Sequence, residues 1–311
     1  MIAVRRLMYR RGLRRTTCLP VPVVVVGNLT VGGTGKTPLV AWLAEALRRR
    51  GFRVGIVSRG YGGRAGTWPQ AVHGDSDPAL VGDEAVLLAR NTNCPVSVGP
   101  DRVRAARALL ARGQVDVLLA DDGLQHHALG RIMEIVVVDG ERGLGNGMCL
   151  PAGPLRERPD RLARASAVVV NGGDWGRNEG AGDIFRATID VQDIRQLTSS
   201  ARKPLESFRG MQVHAVAAIA HPERFFRMLA GAGLQVSPHP LPDHASIDAA
   251  DLSFDDARPV LVTEKDAVKC ERVAHDDVWC VPIELSFEPE ASAGLIALVL
   301  RHIEERRWIS P

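Results

Sequence analysis

No apolar run long enough to cross a bilayer, ~18 residues or more, occurs in this chain of 311 residues. The N-terminus also lacks the apolar stretch and small-residue cleavage site of a secretory signal, so a cytoplasmic location is expected. Cysteine is sparse: Cys18, Cys94, Cys149, Cys270 and Cys280 stand apart, with no CxxC pair. An odd, scattered set without metal-ligand spacing argues against a disulfide scaffold or zinc module and fits unpaired thiols in a reducing compartment. Excess charge is missing too. A formal net charge of +3 gives no case for a nucleic-acid partner. No internal repeat is present. Against these absences stands a hydrophobic content of 45%, that of a soluble globular protein long enough for two domains, each with its own core.

The most informative segment that is present is Gly27-Asn-Leu-Thr-Val-Gly-Gly-Thr-Gly-Lys-Thr-Pro38. It follows the apolar run Val23 to Val26 and precedes a helix-like run from Leu39 to Arg50. Strand, glycine loop and helix are the parts of a phosphate-binding loop. Gly32, Gly33, Thr34 and Gly35 would turn backbone N–H groups toward one anion, Lys36 would reach the β- and γ-phosphates, and Thr37 could ligate Mg²⁺. Thr30 occupies the place where the usual spacing has glycine.

Strand and helix signals alternate through the first half. Strands are predicted over Val21–Val26, Val54–Val57, Pro95–Val98, Val115–Ala120, Ile135–Val138 and Val168–Val170, and helices over Pro38–Arg50, Gly82–Arg90 and from Asp101 to about Arg112. Continuous apolar strands separated by helices predict a parallel sheet covered on both faces. Residues 172–185 are Gly-rich and polar and mark the expected boundary between a domain over 1–185 and a smaller α/β domain over 186–311. The second part has strand signals at Val213–Ile219 and Pro259–Val262, a helix at Pro222–Ala230 and a closing helix at Ala291–Arg306.

Other residues carry chemistry. Asp121-Asp122-Gly-Leu-Gln125-His126 follows an apolar strand, where a phosphate-loop enzyme places its Mg²⁺ carboxylate. Gly82-Asp83-Glu84 reads as a helix cap, and His244, after Asp243, as a structural histidine or half of a carboxylate–imidazole base. Arg156-Glu157, at the end of Pro151-Ala-Gly-Pro-Leu, is either a surface ion pair or a phosphate contact beside a metal. Thr263-Glu-Lys-Asp266 is close to a guanine-reading loop, but Lys265 and Asp266 are adjacent where that loop needs them two apart. The first fifteen residues crowd Arg5, Arg6, Arg10, Arg11, Arg14 and Arg15 among Ile2, Val4, Leu7, Met8, Tyr9 and Leu13. Such a segment is either a helix for an anionic membrane surface or a solvated helix packed on the domain.

Taken together, the phrases GNLTVGGTGKTP, SRGYGG, GDE, DDGLQH, NG at 146–147, LPAGPLRE, HPERFF, LPDH and TEKDAVK resemble, in order, those of the tetraacyldisaccharide 4′-kinases, the lipid A 4′-kinases of Gram-negative bacteria. The resemblance implies a P-loop kinase-like domain with a mostly parallel sheet flanked by helices, and a smaller α/β C-terminal domain closing the cleft. It implies transfer of the ATP γ-phosphate to the 4′-hydroxyl of a tetraacylated glucosamine disaccharide 1-phosphate, giving lipid IVA, with Mg²⁺. Peripheral attachment to the cytoplasmic face of the inner membrane through residues 1–15 follows, and a monomer is expected. By the same resemblance Gly32 to Thr37 hold the triphosphate, Thr37, Asp121, Asp122 and Glu157 serve the metal, and Gln125, Arg102 and Arg156 lie by the nucleotide. Asp83 would be the catalytic carboxylate, paired with His244, with Lys36 also catalytic. Two rivals share the glycine loop. A membrane-associated partitioning ATPase would carry Lys where Val31 stands. A GTP-dependent metal-insertion chaperone would need Cys/His metal spacing and an intact guanine motif.

Overall fold

A computed structural model describes residues 7–9, 11–176 and 182–309. Arg5, Arg6 and Arg10 of the basic segment, and 177–181 of the expected boundary, lie outside the described residues. In chain order come β1 (Val23–Gly27), α1 (Lys36–Arg48), β2 (Val54–Ser58), β3 (Gln70–Val72), α2 (Pro78–Val81), α3 (Asp83–Thr92), β4 (Val96–Val98), α4 (Arg102–Leu110), β5 (Val117–Asp121), β6 (Met133–Asp139), β7 (Ala167–Asn171) and β8 (Asp183–Val191). They are followed by β9 (Ile194–Gln196), β10 (Arg202–Lys203), β11 (Gln212–Ala217), α5 (Pro222–Gly231), β12 (Gln235–Pro240), α6 (Ala249–Leu252), β13 (Val260–Thr263), α7 (Glu264–Cys270), β14 (Val278–Val281), β15 (Ile283–Phe287) and α8 (Pro289–Glu305).

The strands form a nine-stranded sheet in the order β15, β8, β7, β6, β1, β5, β2, β4, β3, and a six-stranded sheet in the order β10, β9, β14, β13, β11, β12. In the first, β3 and β15 run antiparallel to their neighbours and the other strand pairs are parallel. β1, β5, β6 and β7 are buried along their whole length, as strands covered on both faces must be. Leu39, Val40, Leu43, Ala44 and Leu47 of α1 recur at helical spacing and pack with Val24, Val26, Leu119 and Ile135 on one face. Val23, Val25 and Leu118 pack with Val103, Ala106 and Leu109 of α4 on the other. The second sheet has its own core around Val213, Phe225, Leu229 and Leu261.

The two sheets divide the chain differently from 1–185 and 186–311. β8 pairs along β7, with Ala167 opposite Asp183, so the chain crosses to the second sheet after Val191. It returns at Ile283, where β15 adds beside β8, and α8 packs on the first core. The exposed, polar β8 reads as linker because only one of its nine residues is fully buried.

Candidate active site

The parallel strands of the first sheet end on one edge, where ligands bind in open α/β sheets. After β1 the chain makes the glycine loop and enters α1. Gly35, at the helix N-cap, has φ 93°, caps with no side chain, and no acidic residue fills the first turn. The free N–H groups and positive end of the helix are left for an anion. Asn171, ending β7, donates to the Thr34 carbonyl at 3.1 Å. A Cβ at Gly35 would lie 2.5 Å from its Nδ2, so only glycine fits there. Thr30 forms an isolated bridge with Leu155. Val31 N–H donates to Pro154 O at 2.9 Å, and Arg156 N–H to Leu29 O at 2.6 Å. The irregular position in the loop is therefore where it is stitched to Pro154-Leu-Arg156, and that pairing delivers Arg156 and Glu157 to the site.

β5 delivers the two aspartates to different environments. Asp121 is fully buried, and among the described residues neither carboxylate oxygen has a hydrogen-bond partner. Burial and the charge of Glu84 push its pKa up to about 7, against the pull of Lys36 and Arg102. Asp122, at φ 47°, faces Lys36 Nζ at 3.7 Å and takes Arg156 Nη1 on both oxygens at 3.1 Å. Burial works to raise its pKa, but Lys36, Arg156 and Arg102 hold it below the usual carboxylate range. Arg102 Nη2 also donates to the Asp122 carbonyl at 3.3 Å.

Behind them, Gln125 Nε2 donates to Glu157 Oε1 at 2.9 Å, and Glu157 lies 3.6 Å from Arg161. Arg161 and Arg131 both pair with buried Glu134. Arg131 donates to the carbonyls of Gly123, Leu124, His126 and Leu129, holding the Asp-Asp-Gly turn in place. Nothing in the sequence pattern marked Arg131, Glu134 or Arg161, which gain their meaning from burial.

Asp83 opens α3, where Gly82, at φ 91°, lets the chain pass so close to Tyr61 that a Cβ would lie 2.5 Å from its carbonyl oxygen. The SRGYGG loop thus braces the carboxylate. His244 comes from the turn that follows β12 of the second sheet. It sits at φ 60°, its N–H bonded to Ala218 O at 3.1 Å. Its Nδ1 is 3.1 Å from both oxygens of Asp83. Lys269 Nζ, on α7, stands 3.8 Å from Asp83 and 2.6 Å from Asp266. Burial works to raise the Asp83 pKa, but His244, Lys265 and Lys269 outweigh it and keep the carboxylate ionised. The pairing of Asp83 with His244 joins residues 161 apart in sequence. Neither the guanine-loop reading of Thr263–Asp266 nor the family phrase TEKDAVK assigns Lys265 and Lys269 a role; their i, i+4 spacing on one helix face is the available signal.

The structure thus brings Lys36, Arg102, Asp121, Asp122, Gln125, Arg156 and Glu157 around the loop of Gly32, Gly33, Thr34, Gly35 and Thr37, with Asp83 and His244 close by through Glu84. No cluster of three or more His, Cys, Asp or Glu side chains among the described residues is arranged to hold a metal by itself. A buried, unpartnered carboxylate beside a phosphate loop does fit a hard cation that takes its remaining oxygens from phosphate and water.

Residues 1–301 match the family model described as Tetraacyldisaccharide-1-P 4'-kinase. A tetraacyldisaccharide 4'-kinase of Nitrosococcus oceani is 53% identical over 298 residues, covering 96% of this chain and 86% of that protein. One from Alkalilimnicola ehrlichii is 54% identical, covering 96% and 88%. Among solved structures, LpxK of Aquifex aeolicus in complex with ATP superposes with a TM-score of 0.79 at 28% identity, covering 97% of this chain and 95% of that one. The chain belongs to the tetraacyldisaccharide 4′-kinase family.

Proposed function

We propose that this protein transfers the γ-phosphoryl group of ATP to the 4′-hydroxyl of a tetraacylated glucosamine disaccharide 1-phosphate, giving lipid IVA and ADP. The observation that carries this reading is the Asp83–His244 pair, a buried base next to a complete phosphate loop. A nucleotide switch needs no such base.

In the mechanism, the amides of Gly32 to Gly35 and the N-terminus of α1 hold the triphosphate, and Lys36 neutralises charge at its γ end. Arg102 and Arg156 orient phosphate oxygens. Asp83 accepts the proton of the 4′-hydroxyl as its oxygen bonds to the γ-phosphorus and the bond to the β–γ bridging oxygen breaks. His244 orients that carboxylate. Thr37 and Asp121 would hold Mg²⁺, with Asp122 and Glu157 behind them, and the ion would offset charge on the β- and γ-phosphates. All these residues come from one chain, so a monomer suffices.

The substrate's acyl chains keep it in a bilayer, and no helix among the described residues is long and apolar enough to cross one. Docking to the cytoplasmic face of the inner membrane is assigned to residues 1–15, in which Arg11, Arg14 and Arg15 are exposed and Leu13 is 70% exposed. The partitioning-ATPase reading leaves Pro154–Glu157 and the dyad without a role.

The test is to incubate the protein with labelled ATP, Mg²⁺ and the detergent-dispersed tetraacyl disaccharide 1-phosphate. Labelled lipid is expected. ATP turnover with no labelled lipid would overturn the assignment.

A further inference from the structure

We propose that Lys265 is a positioning residue that fixes the proton of His244 on Nδ1, so that Asp83, and not the imidazole, is the acceptor of the substrate proton. The role of Asp83 in this inference rests on the function proposed above; the tautomer of His244 does not.

The imidazole is clamped from two sides. Nδ1 lies 3.1 Å from both oxygens of Asp83, and an ionised carboxylate only accepts, so Nδ1 carries hydrogen. Nε2 lies 3.3 Å from Lys265 Nζ, and an ammonium only donates, so Nε2 offers its lone pair. Both constraints select the same neutral tautomer. Lys265 is itself anchored by Glu84 at 3.1 Å and Asp243 at 3.8 Å, and its side chain is 18% exposed. Asp243 Oδ1, 3.6 Å from Nε2, would accept from a protonated Nε2, and Lys265 stands against that state. Also facing the pair are the Tyr61 ring, with its centroid 4.8 Å from the imidazole, the Glu84 N–H, which donates to Asp83 Oδ1 at 2.8 Å, and Lys269, paired to Asp266 and acting on the carboxylate instead.

Two lysines one helical turn apart on α7 therefore divide the work: Lys269 attends Asp83, and Lys265 attends His244. Without the Lys265 ammonium, an imidazolium between Asp83 and Asp243 becomes favourable. The dyad then takes up a proton at higher pH, and Asp83 is a weaker base on the acid side.

The experiment compares wild type with Lys265→Met, Lys265→Gln and Lys265→Arg by two readouts. One is ¹⁵N NMR of the histidine side chains, with His244→Asn to assign the signal. The other is the pH profile of kcat/KM. In wild type, NMR is expected to show the Nδ1–H tautomer. In Lys265→Met and Lys265→Gln the acid limb is expected to move up by about one pH unit, a ~tenfold loss on the acid side, with the Nδ1–H signature weakened. Lys265→Arg is expected to keep both. An unmoved limb and unmoved tautomer in whichever neutral variant folds would overturn the proposal. A wild type with the Nδ1–H signature but no lipid phosphorylation would instead sink the assigned function and leave the tautomer standing.

Discussion

Asp83 and Asp121 are both buried carboxylates, and the structure sends them in opposite directions. Asp83 stays ionised because three basic groups surround it. Replacing it with Asn, which cannot accept the hydroxyl proton, is expected to lower kcat by about 10²–10⁴-fold with ATP affinity nearly unchanged, checked by steady-state kinetics beside nucleotide titration. Asp83→Ala combined with His244→Ala is expected to cost less than the sum of the single losses, because the two act as a unit. At Asp121, complete burial and the charge of Glu84 outweigh Lys36 and Arg102. Its folded pKa is about 7, above the ~3.9 of an unfolded aspartate. The unfolded chain therefore loses its proton first, and metal-free stability falls as pH rises through that window. Asp121→Asn removes the penalty. In chelator, urea titrations are expected to show the variant more stable than its parent at pH 8 and equal to it near pH 4. A parent as stable as the variant at pH 8 would show that Asp121 carries no uncompensated charge. At this scale the sequence was legible where chemistry is local: the glycines, Lys36 and the Asp-Asp pair sit in one short motif each. It was illegible for Lys265 and Lys269, whose meaning depends on which helix face meets α3.

Among the elements, β1, α1, β5 and β6 were readable because burial on both faces leaves an apolar run and α1 keeps a helical apolar stripe. Boundaries moved where a backbone feature overrode composition: α1 begins at Lys36, earlier than Pro38, because Gly35 makes the left-handed turn. β3, β8 and β15 escaped because edge and half-exposed strands lack that run. The turn after β5 depends on a pair of arginines around one glutamate. Glu134→Ala leaves Arg131 and Arg161 facing each other inside the protein. The expected cost is about 3–5 kcal/mol, read from the denaturant midpoint at unchanged m-value. A loss below 1 kcal/mol would mean water reaches the cluster.

For the whole molecule, the second sheet contributes His244, Lys265 and Lys269, while the first supplies the phosphate loop and Asp83. The resemblance of ordered motifs already carried this two-part arrangement, whereas composition alone placed the crossing within a polar stretch that is partly strand. If the basic N-terminal segment docks the enzyme on its lipid, deleting residues 1–15 is expected to reduce sedimentation with anionic liposomes, more clearly at low salt, while soluble nucleotide binding persists. Equal sedimentation of both forms would make the segment a solvated one. The path of the chain has a further consequence, for synthesis. β8 leaves the ribosome with one edge paired to β7 and the other bare, because its partner β15 follows only after the whole second sheet. The first sheet cannot be finished, nor its core capped by α8, until residues 192–282 have been made, and a hydrogen bond from Gln192 N–H to Pro282 O at 3.0 Å closes that excursion. A chain interrupted inside the second sheet therefore leaves one edge of β8 without its partner, and such a truncated chain is expected to aggregate more readily than the full-length protein.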